Sequence, residues 1–116
     1  MLKLKRAYKF EKNEIMNLTQ EEWKLMLGKH KDNILLDVRT EDEFKEKRIP
    51  NSVLLDINSP QEFLEGIEVL DKDKSYFIYC RSGNRSSRAC DIMKSMGFKK
   101  TYNLLGGISE WKGLTE

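Results

Sequence analysis

The sequence predicts an α/β fold, with a mostly parallel five-stranded sheet and helices on both faces. Short apolar runs typical of buried strands alternate along the chain with segments whose apolar residues recur at helical spacing. A strand followed by a helix and another strand favours parallel pairing, because the chain must cross over the sheet before it returns. The chain has 116 residues, and its hydrophobic content of 39% is enough for one modest core.

Five short runs are the predicted strands, and they span residues 14–18, 33–38, 53–57, 76–79 and 100–104. Ahead of them, residues 1–13 alternate Leu, Lys, Tyr and Phe and are compatible with a frayed N-terminal arm or with an added edge strand. Residues 14–116 are predicted to form one folded domain, since no linker, repeat or low-complexity segment interrupts them.

Capping residues mark where the helices between these strands begin. Residues 19–22 and 40–43 both read Thr-x-x-Glu, the capping box in which hydroxyl and carboxylate satisfy each other's exposed N–H groups. A third helix starts with Pro60 at its first position. Gly28 and Gly97 are expected to end the first and the last helix. The residues predicted to face inward are Trp23, Met26, Leu27, Phe44, Phe63, Leu64, Ile67, Leu70, Ala89, Ile92, Met93 and Met96.

Charge and composition argue against several classes of protein. The net charge of +2 is too small to favour a nucleic-acid or membrane partner. A cytoplasmic location is expected, because no run approaches the roughly 18 apolar residues of a membrane span and no signal-peptide core is present. No metal or cofactor is expected, since CxxC pairs and His-rich clusters are absent and the lone His30 falls in a charged turn.

Cys80 marks the predicted functional loop, because it stands where the fourth strand ends and a polar loop leads into the helix over residues 86–97. Ligands of open α/β sheets bind outside such strand ends, where the next helix presents its N–H groups and positive dipole end. Arg81, Arg85 and this dipole would favour a thiolate, and Gly83 lets successive N–H groups turn inward as an anion-binding nest. Cys80 is therefore the predicted nucleophile, since the alternative of a small buried cysteine leaves both arginines and the glycine unexplained.

Three further polar residues have mainly structural interpretations. Cys90 lies beside the apolar face of the following helix, where packing is favoured over a role as a second thiol. A disulfide with Cys80 is not expected, because the two residues would lie too far apart. Asp37 and Arg39 flank the end of the second strand, where they could contact a ligand but are predicted to form an ion pair that braces neighbouring loops.

Four short motifs occur in order along the chain: Leu-Asp-Val-Arg at 36–39 with Glu-Phe at 43–44, Ile-Pro at 49–50, Cys-Arg-Ser-Gly-Asn-Arg-Ser at 80–86, and Leu-Gly-Gly at 105–107 with Trp111. With these motifs the chain resembles the single-domain rhodaneses, which are thiosulfate-type sulfurtransferases. The resemblance runs from Ile15 to Trp111, nearly the whole chain. Residues 48–52 read Arg-Ile-Pro-Asn-Ser and depart from the His-Ile-Pro-Gly-Ala turn that is common in the family.

The resemblance implies a rhodanese-like fold and an enzyme that transfers sulfur through Cys80. Cys80 would attack the outer sulfur of a donor such as thiosulfate and carry it as a persulfide, which a thiol or cyanide then takes. The implied partners are a small anionic sulfur donor and a thiol acceptor, which could be a thiol-carrying protein. The implied substrate-binding residues are Arg81, Ser82, Gly83, Asn84, Arg85 and Ser86, with Asp37 and Arg39 as supports of the loop.

Loop length separates this chain from cysteine phosphatases of similar fold. Those enzymes place their arginine at the position that Ser86 occupies here, and Arg85 comes one residue sooner. The smaller loop favours a sulfur atom over a phosphate. The alternative function is a non-catalytic module of the same fold that senses a thiol or docks on a sulfur-trafficking partner, but an intact Cys80 with two loop arginines favours the enzyme.

Overall fold

Five parallel strands form the centre of the structure, a computed structural model that describes residues 16–29 and 31–116. The strands are β1 (Met16–Leu18), β2 (Asn33–Asp37), β3 (Val53–Leu54), β4 (Ser75–Tyr79) and β5 (Lys100–Leu104). Their order in the sheet is β1-β5-β4-β2-β3, so that β4 lies in the middle. All pairings are parallel, which confirms the predicted sheet.

Within residues 16–29 and 31–116, four α-helices and a final 3₁₀ turn connect and cover these strands. They are α1 (Gln20–Lys29), α2 (Glu41–Glu46), α3 (Pro60–Glu68), α4 (Asn84–Ser95) and the 3₁₀ turn Ile108–Glu110. Both capping boxes are present, with Thr19 paired to Glu22 and Thr40 paired to Glu43. None of the helices in the described residues combines the length and the apolar character needed to cross a bilayer.

The side chains of β4 alternate between two apolar layers, as expected for a strand buried on both faces. Tyr76 and Ile78 point to the layer that includes Phe63 of α3 and Met93 of α4. Phe77 and Tyr79 point to the opposite layer, where Trp23 of α1 packs edge-on against both rings. The indole N–H of this buried tryptophan donates to the Tyr102 carbonyl at 3.1 Å. Helices therefore cover both faces of the sheet, as predicted.

Two of the predicted strands end earlier in the structure, and one helix begins earlier. β2 ends at Asp37, and β3 pairs with β2 over only Val53 and Leu54. Beyond β3 the chain turns, because the Asp56 side chain accepts a hydrogen bond from the Asn58 N–H at 2.8 Å. α4 begins at Asn84, two residues before the prediction, because Gly83 takes a φ of 112° and serves as its N-cap.

Two expectations about the helices are wrong, while the end of α4 is as predicted. Gly28 does not take a left-handed conformation and lies inside α1, which continues to Lys29. Leu64 does not face inward, since it is 44% exposed on α3. Gly97 has a φ of 99° and follows the end of α4. The predictions for residues 1–13, Glu14, Ile15 and His30 lie outside the described residues.

Candidate active site

Cys80 directly follows β4, the central strand, and is buried with 1% of its surface exposed. The backbone here is fixed by the 3₁₀ turn near the C-terminus. The Cys80 carbonyl accepts from the Ile108 N–H at 2.9 Å, and the Arg81 carbonyl accepts from the Ser109 N–H at 3.0 Å. Two backbone hydrogen bonds to the 3₁₀ turn therefore hold the start of the loop in place.

Gly107 makes this close approach of two backbone segments possible. A β-carbon at this position would lie 2.6 Å from the Cys80 carbonyl oxygen and even closer to the Arg81 carbonyl. Gly107 also has a φ of 60°, which an L side chain rarely adopts. The Leu-Gly-Gly segment thus shapes the loop after Cys80, although its first residue, Leu105, comes 25 residues after Cys80 in the sequence.

The loop after Cys80 curls back so that its donors face the sulfur. The Gly83 N–H donates to Cys80 Sγ at 3.1 Å, and the Ser86 hydroxyl oxygen lies 3.3 Å from the same sulfur. Burial raises the pKa of the Cys80 thiol. Hydrogen bonds from the Ser86 hydroxyl and from the N–H groups of Ser86, Gly83 and Ser82 outweigh burial and bring the pKa below its usual value.

Arg85 is held at one wall of the site by Glu43 of α2. Its two terminal nitrogens donate to the two Glu43 carboxylate oxygens at 2.8 and 3.0 Å. The hydrogen bond from Arg85 lowers the Glu43 pKa to about 2, and the pKa of Arg85 is raised in turn, first by Glu43 and also by the charge of a Cys80 thiolate. The guanidinium therefore stays charged near the sulfur, in a fixed position.

Arg81, Ser82 and Asn84 are exposed, unlike the rest of the loop. Arg81 lines an open pocket of about 390 Å³ beside the loop. The other residues that line this pocket are Arg39, Glu43, Glu46, Lys47, Ile108 and Ser109. A small ligand that reaches the loop from this side meets a surface rich in charged groups.

Asp37 and Arg39 form the buried ion pair that the sequence predicts. The shortest contact joins Arg39 Nη2 and Asp37 Oδ2 at 2.6 Å, and Arg39 Nη2 also donates to the Lys47 carbonyl at 2.7 Å. The Arg39 guanidinium lies 5.5 Å from the centre of the Tyr79 ring. This pair ties the end of β2 to the segment after α2, and these hydrogen bonds go to Asp37 and Lys47, not to Cys80 Sγ.

Glu43, Asn103 and Asn17 are site residues that the sequence reasoning missed as such. Asn103 Oδ1 lies 2.5 Å from the Ser86 hydroxyl oxygen, and Asn103 Nδ2 donates to Asn17 Oδ1 at 2.9 Å. The available signal for Asn103 was a polar residue inside a strand predicted to be buried. Glu43 was recognised as part of a capping box and of the family motif at 43–44, but nothing in either pattern pairs it with Arg85.

Cys90 is not part of this constellation. It is fully buried on α4, and burial raises its pKa to about 12. Its thiol is therefore protonated at neutral pH, which agrees with a packing role. Among the described residues, no group of histidine, cysteine or acidic side chains is arranged to hold a metal ion.

Sequence comparison matches this chain to a known family and to sulfurtransferases. The family model of the Rhodanese-like domain matches residues 19–114. The putative sulfurtransferase YtwF of Bacillus subtilis is 36% identical over 103 residues, which cover 89% of this chain and 96% of the relative. The thiosulfate sulfurtransferase GlpE of Coxiella burnetii is 35% identical over 92 residues, which cover 79% and 81% of the two chains.

Solved structures agree with this match. A rhodanese-like domain protein from Staphylococcus aureus has a TM-score of 0.71 at 27% identity, and the alignment covers 83% of this chain and 90% of that one. A rhodanese-related protein from Thermoplasma volcanium has a TM-score of 0.73 at 26% identity, with 87% and 97% covered. In each of these two comparisons, the rhodanese-like fold thus extends over most of this chain and most of the solved structure.

Proposed function

We propose that this chain, which belongs to the rhodanese-like domain family, moves a sulfane sulfur through a persulfide on Cys80. Relatives named as sulfurtransferases support transferase activity in general. The single observation that carries the finer proposal is the hydrogen-bonded sulfur of Cys80, since donors aimed at a buried Sγ stabilise a thiolate.

In the loading half of the proposed reaction, the Cys80 thiolate attacks the outer sulfur of a donor. With thiosulfate, a new bond forms between Sγ and the outer sulfur, while the bond to the sulfonate sulfur breaks. Its electron pair leaves with sulfite, and the single negative charge of the thiolate reappears on the persulfide. No net oxidation or reduction of the protein–donor system is required.

In the unloading half, an acceptor attacks the outer sulfur of the persulfide. Cyanide takes the sulfur as thiocyanate, and the electron pair of the broken S–S bond returns to Sγ as a thiolate. A thiolate acceptor reacts in the same way when the outer sulfur carries a proton, and yields an acceptor persulfide. Neither half needs a histidine base, which fits a sequence with the single histidine His30.

The loop supplies groups that can bind both the sulfur-free thiolate and the persulfide of Cys80. The backbone N–H groups from Arg81 to Ser86 form the cradle for the charged outer sulfur, in line with the donation already made by Gly83. Arg85 contributes a fixed positive charge, and the exposed Arg81 at the pocket attracts an anionic donor. The proposed partners are therefore a small anionic or persulfide donor and a thiol acceptor, and a cytoplasmic location remains a prediction.

Thiocyanate formation from thiosulfate and cyanide tests the thiosulfate reaction. We expect turnover in the native protein, loss of turnover in Cys80→Ala, and retention in Cys90→Ala, because only Cys80 lies in the loop. Thiocyanate formation no faster than in Cys80→Ala would overturn the thiosulfate reaction. The same failure with persulfide donors, in a folded protein, would instead support the non-catalytic binding module.

A further inference from the structure

The Ser86 hydroxyl carries one proton but lies within reach of two acceptors. Its oxygen is 2.5 Å from Asn103 Oδ1 and 3.3 Å from Cys80 Sγ. Ser86 is fully buried and Asn103 is 2% exposed, so water does not substitute for either bond. The hydroxyl can therefore donate its proton either to the Asn103 amide oxygen or to Cys80 Sγ, but not to both.

The orientation of the Asn103 amide is fixed from the other side. Its Nδ2 donates to Asn17 Oδ1 at 2.9 Å and lies 3.4 Å from the Gly83 carbonyl oxygen. Asn17 and Asn103 are register partners of the parallel pair β1 and β5, so the sheet itself sets their distance. With both amide protons directed to these acceptors, Oδ1 faces the Ser86 hydroxyl and can only accept.

The hydrogen bonds around Ser86 are satisfied to different extents in the different charge states of Cys80. When Cys80 is a thiol, its S–H can donate to Ser86, and Ser86 donates to Asn103, so that every group is satisfied. When Sγ is a thiolate, Ser86 must turn its proton to the sulfur and leave the buried Asn103 oxygen without this donor, which is costly. In a persulfide the charge lies on the outer sulfur, and the Ser86 proton can return to Asn103.

We propose that Asn103 is a positioning residue that competes with Cys80 for the Ser86 hydroxyl and thereby favours the thiol and the loaded persulfide over the free thiolate. The role in the loaded state rests on the proposed sulfur transfer, whereas the role in the sulfur-free protein does not. Asn103 would thus help Cys80 to keep its sulfur until an acceptor arrives.

The other ionisable groups around Cys80 do not favour one charge state of its sulfur in the way that Asn103 does. Arg85 on α4 is positive and held by Glu43 of α2, so its charge is present in every state. The Cys90 thiol on the same helix is neutral at neutral pH, because burial raises its pKa to about 12. On β5, the residue that contacts Ser86 is Asn103, which carries no charge.

The first test follows the pKa of Cys80 in the sulfur-free protein, through the ultraviolet absorbance of the thiolate against a Cys80→Ala baseline. We expect Asn103→Leu to lower this pKa by about one unit, a tenfold change in the ionisation constant, because Ser86 then serves only Sγ. Asn103→Asp should raise it, because a carboxylate binds the hydroxyl more strongly and repels the thiolate.

A double-mutant cycle separates this role from general damage to the fold. In a Ser86→Ala background, Asn103→Leu should no longer shift the Cys80 pKa. An unchanged pKa in the single variant, or an equal shift without the Ser86 hydroxyl, would overturn the proposal. If Asn103→Leu does not fold, Asn17→Ala serves instead, since Asn17 is exposed and its loss frees the amide to turn. A smaller shift of the same sign is then expected, and no shift would contradict the proposal.

The second test measures how fast sulfur leaves loaded protein in the presence of a small thiol. Asn103→Leu should release sulfur several-fold faster, because the departing Cys80 thiolate is better stabilised. Equal rates would contradict the role of Asn103 in the loaded state. Protein that never loads sulfur would refute the proposed function, while the pKa measurement would still decide the competition for Ser86.

Discussion

Glu43 and Arg85 join α2 to the loop after Cys80 through two parallel hydrogen bonds of 2.8 and 3.0 Å. The two side chains are 24% and 23% exposed, so that solvent screens the pair only in part. Glu43 also accepts from the Thr40 N–H at 3.0 Å and so caps its own helix. One carboxylate therefore fixes both the start of α2 and the arginine of the active loop.

This pair predicts a loss of stability in acid. The Glu43 pKa is lowered from 4.5 to about 2, so its contribution is complete above about pH 4.5 and is lost as the pH falls towards 2. Glu43→Gln should cost about 1–2 kcal/mol at neutral pH, after allowance for screening, and should flatten the stability profile over that acidic range. Urea unfolding at a series of pH values measures both effects. If the stability of the native protein and of Glu43→Gln changed with pH in parallel, Glu43 would not be the source of the acid-dependent stability.

Arg85→Lys tests whether geometry as well as charge matters. Lysine keeps the positive charge but cannot make the paired hydrogen bonds to Glu43. We expect kcat/KM for thiosulfate to fall about tenfold, because the charge is no longer held beside Cys80, and Arg85→Ala to lose more. Steady-state kinetics at several thiosulfate concentrations give these values. Equal kinetics for the native protein and both variants would remove Arg85 from the proposed site.

A pair of glycine substitutions tests the close approach behind the loop. Gly107→Ala should destabilise the protein by at least about 2 kcal/mol, since the new methyl group meets the Cys80 and Arg81 carbonyls and the backbone φ is unfavourable. The matched control is Gly28→Ala, where no atom lies within 4 Å of the new group and the residue is inside α1. It should stabilise by about 0.5–1 kcal/mol. Thermal unfolding distinguishes the two, and a neutral Gly107→Ala would contradict the described packing.

The two cysteines should differ in reactivity although both are buried. The pKa of Cys80 is lowered by its hydrogen bonds, whereas burial raises that of Cys90 to about 12. At neutral pH, a small alkylating reagent should therefore modify Cys80 at least about ten times faster. Mass spectrometry of peptides from timed reactions identifies the modified residue. Similar rates at the two positions would show that the loop does not favour the thiolate.

Features encoded by neighbouring residues could be predicted from the sequence. Both capping boxes and the strand-to-helix position of Cys80 follow from patterns a few residues long, and the sheet type follows from the alternation of strands and helices along the chain; the structure contains all of them. Arg81, Gly83 and Arg85 were also found in this way, because they lie within five residues of Cys80, whereas the roles of Ser82, Asn84 and Ser86 were implied by the family resemblance. Errors arose where a local signal was ambiguous: Gly28 is compatible with a helix end and with a helix interior.

Contacts between distant segments could not be predicted. Glu43 meets Arg85 only because β2 and β4 are neighbours in the sheet, and Asn103 meets Asn17 only in the register of β1 and β5. Neither a strand order nor a register can be read from periodicity alone. For the same reason, the dependence of the loop on Gly107 became evident only from the packing of the two backbone segments.

The most direct test of the central claim is the mass of the protein after it has been treated with thiosulfate or a persulfide donor and freed of small molecules. We expect an added mass of about 32 Da, one sulfur atom, on the peptide that contains Cys80. Cyanide should remove this mass, and Cys80→Ala should never acquire it. Folded native protein that gains no sulfur from any such donor, or gains it equally on Cys90, would contradict the claim that Cys80 carries the sulfur.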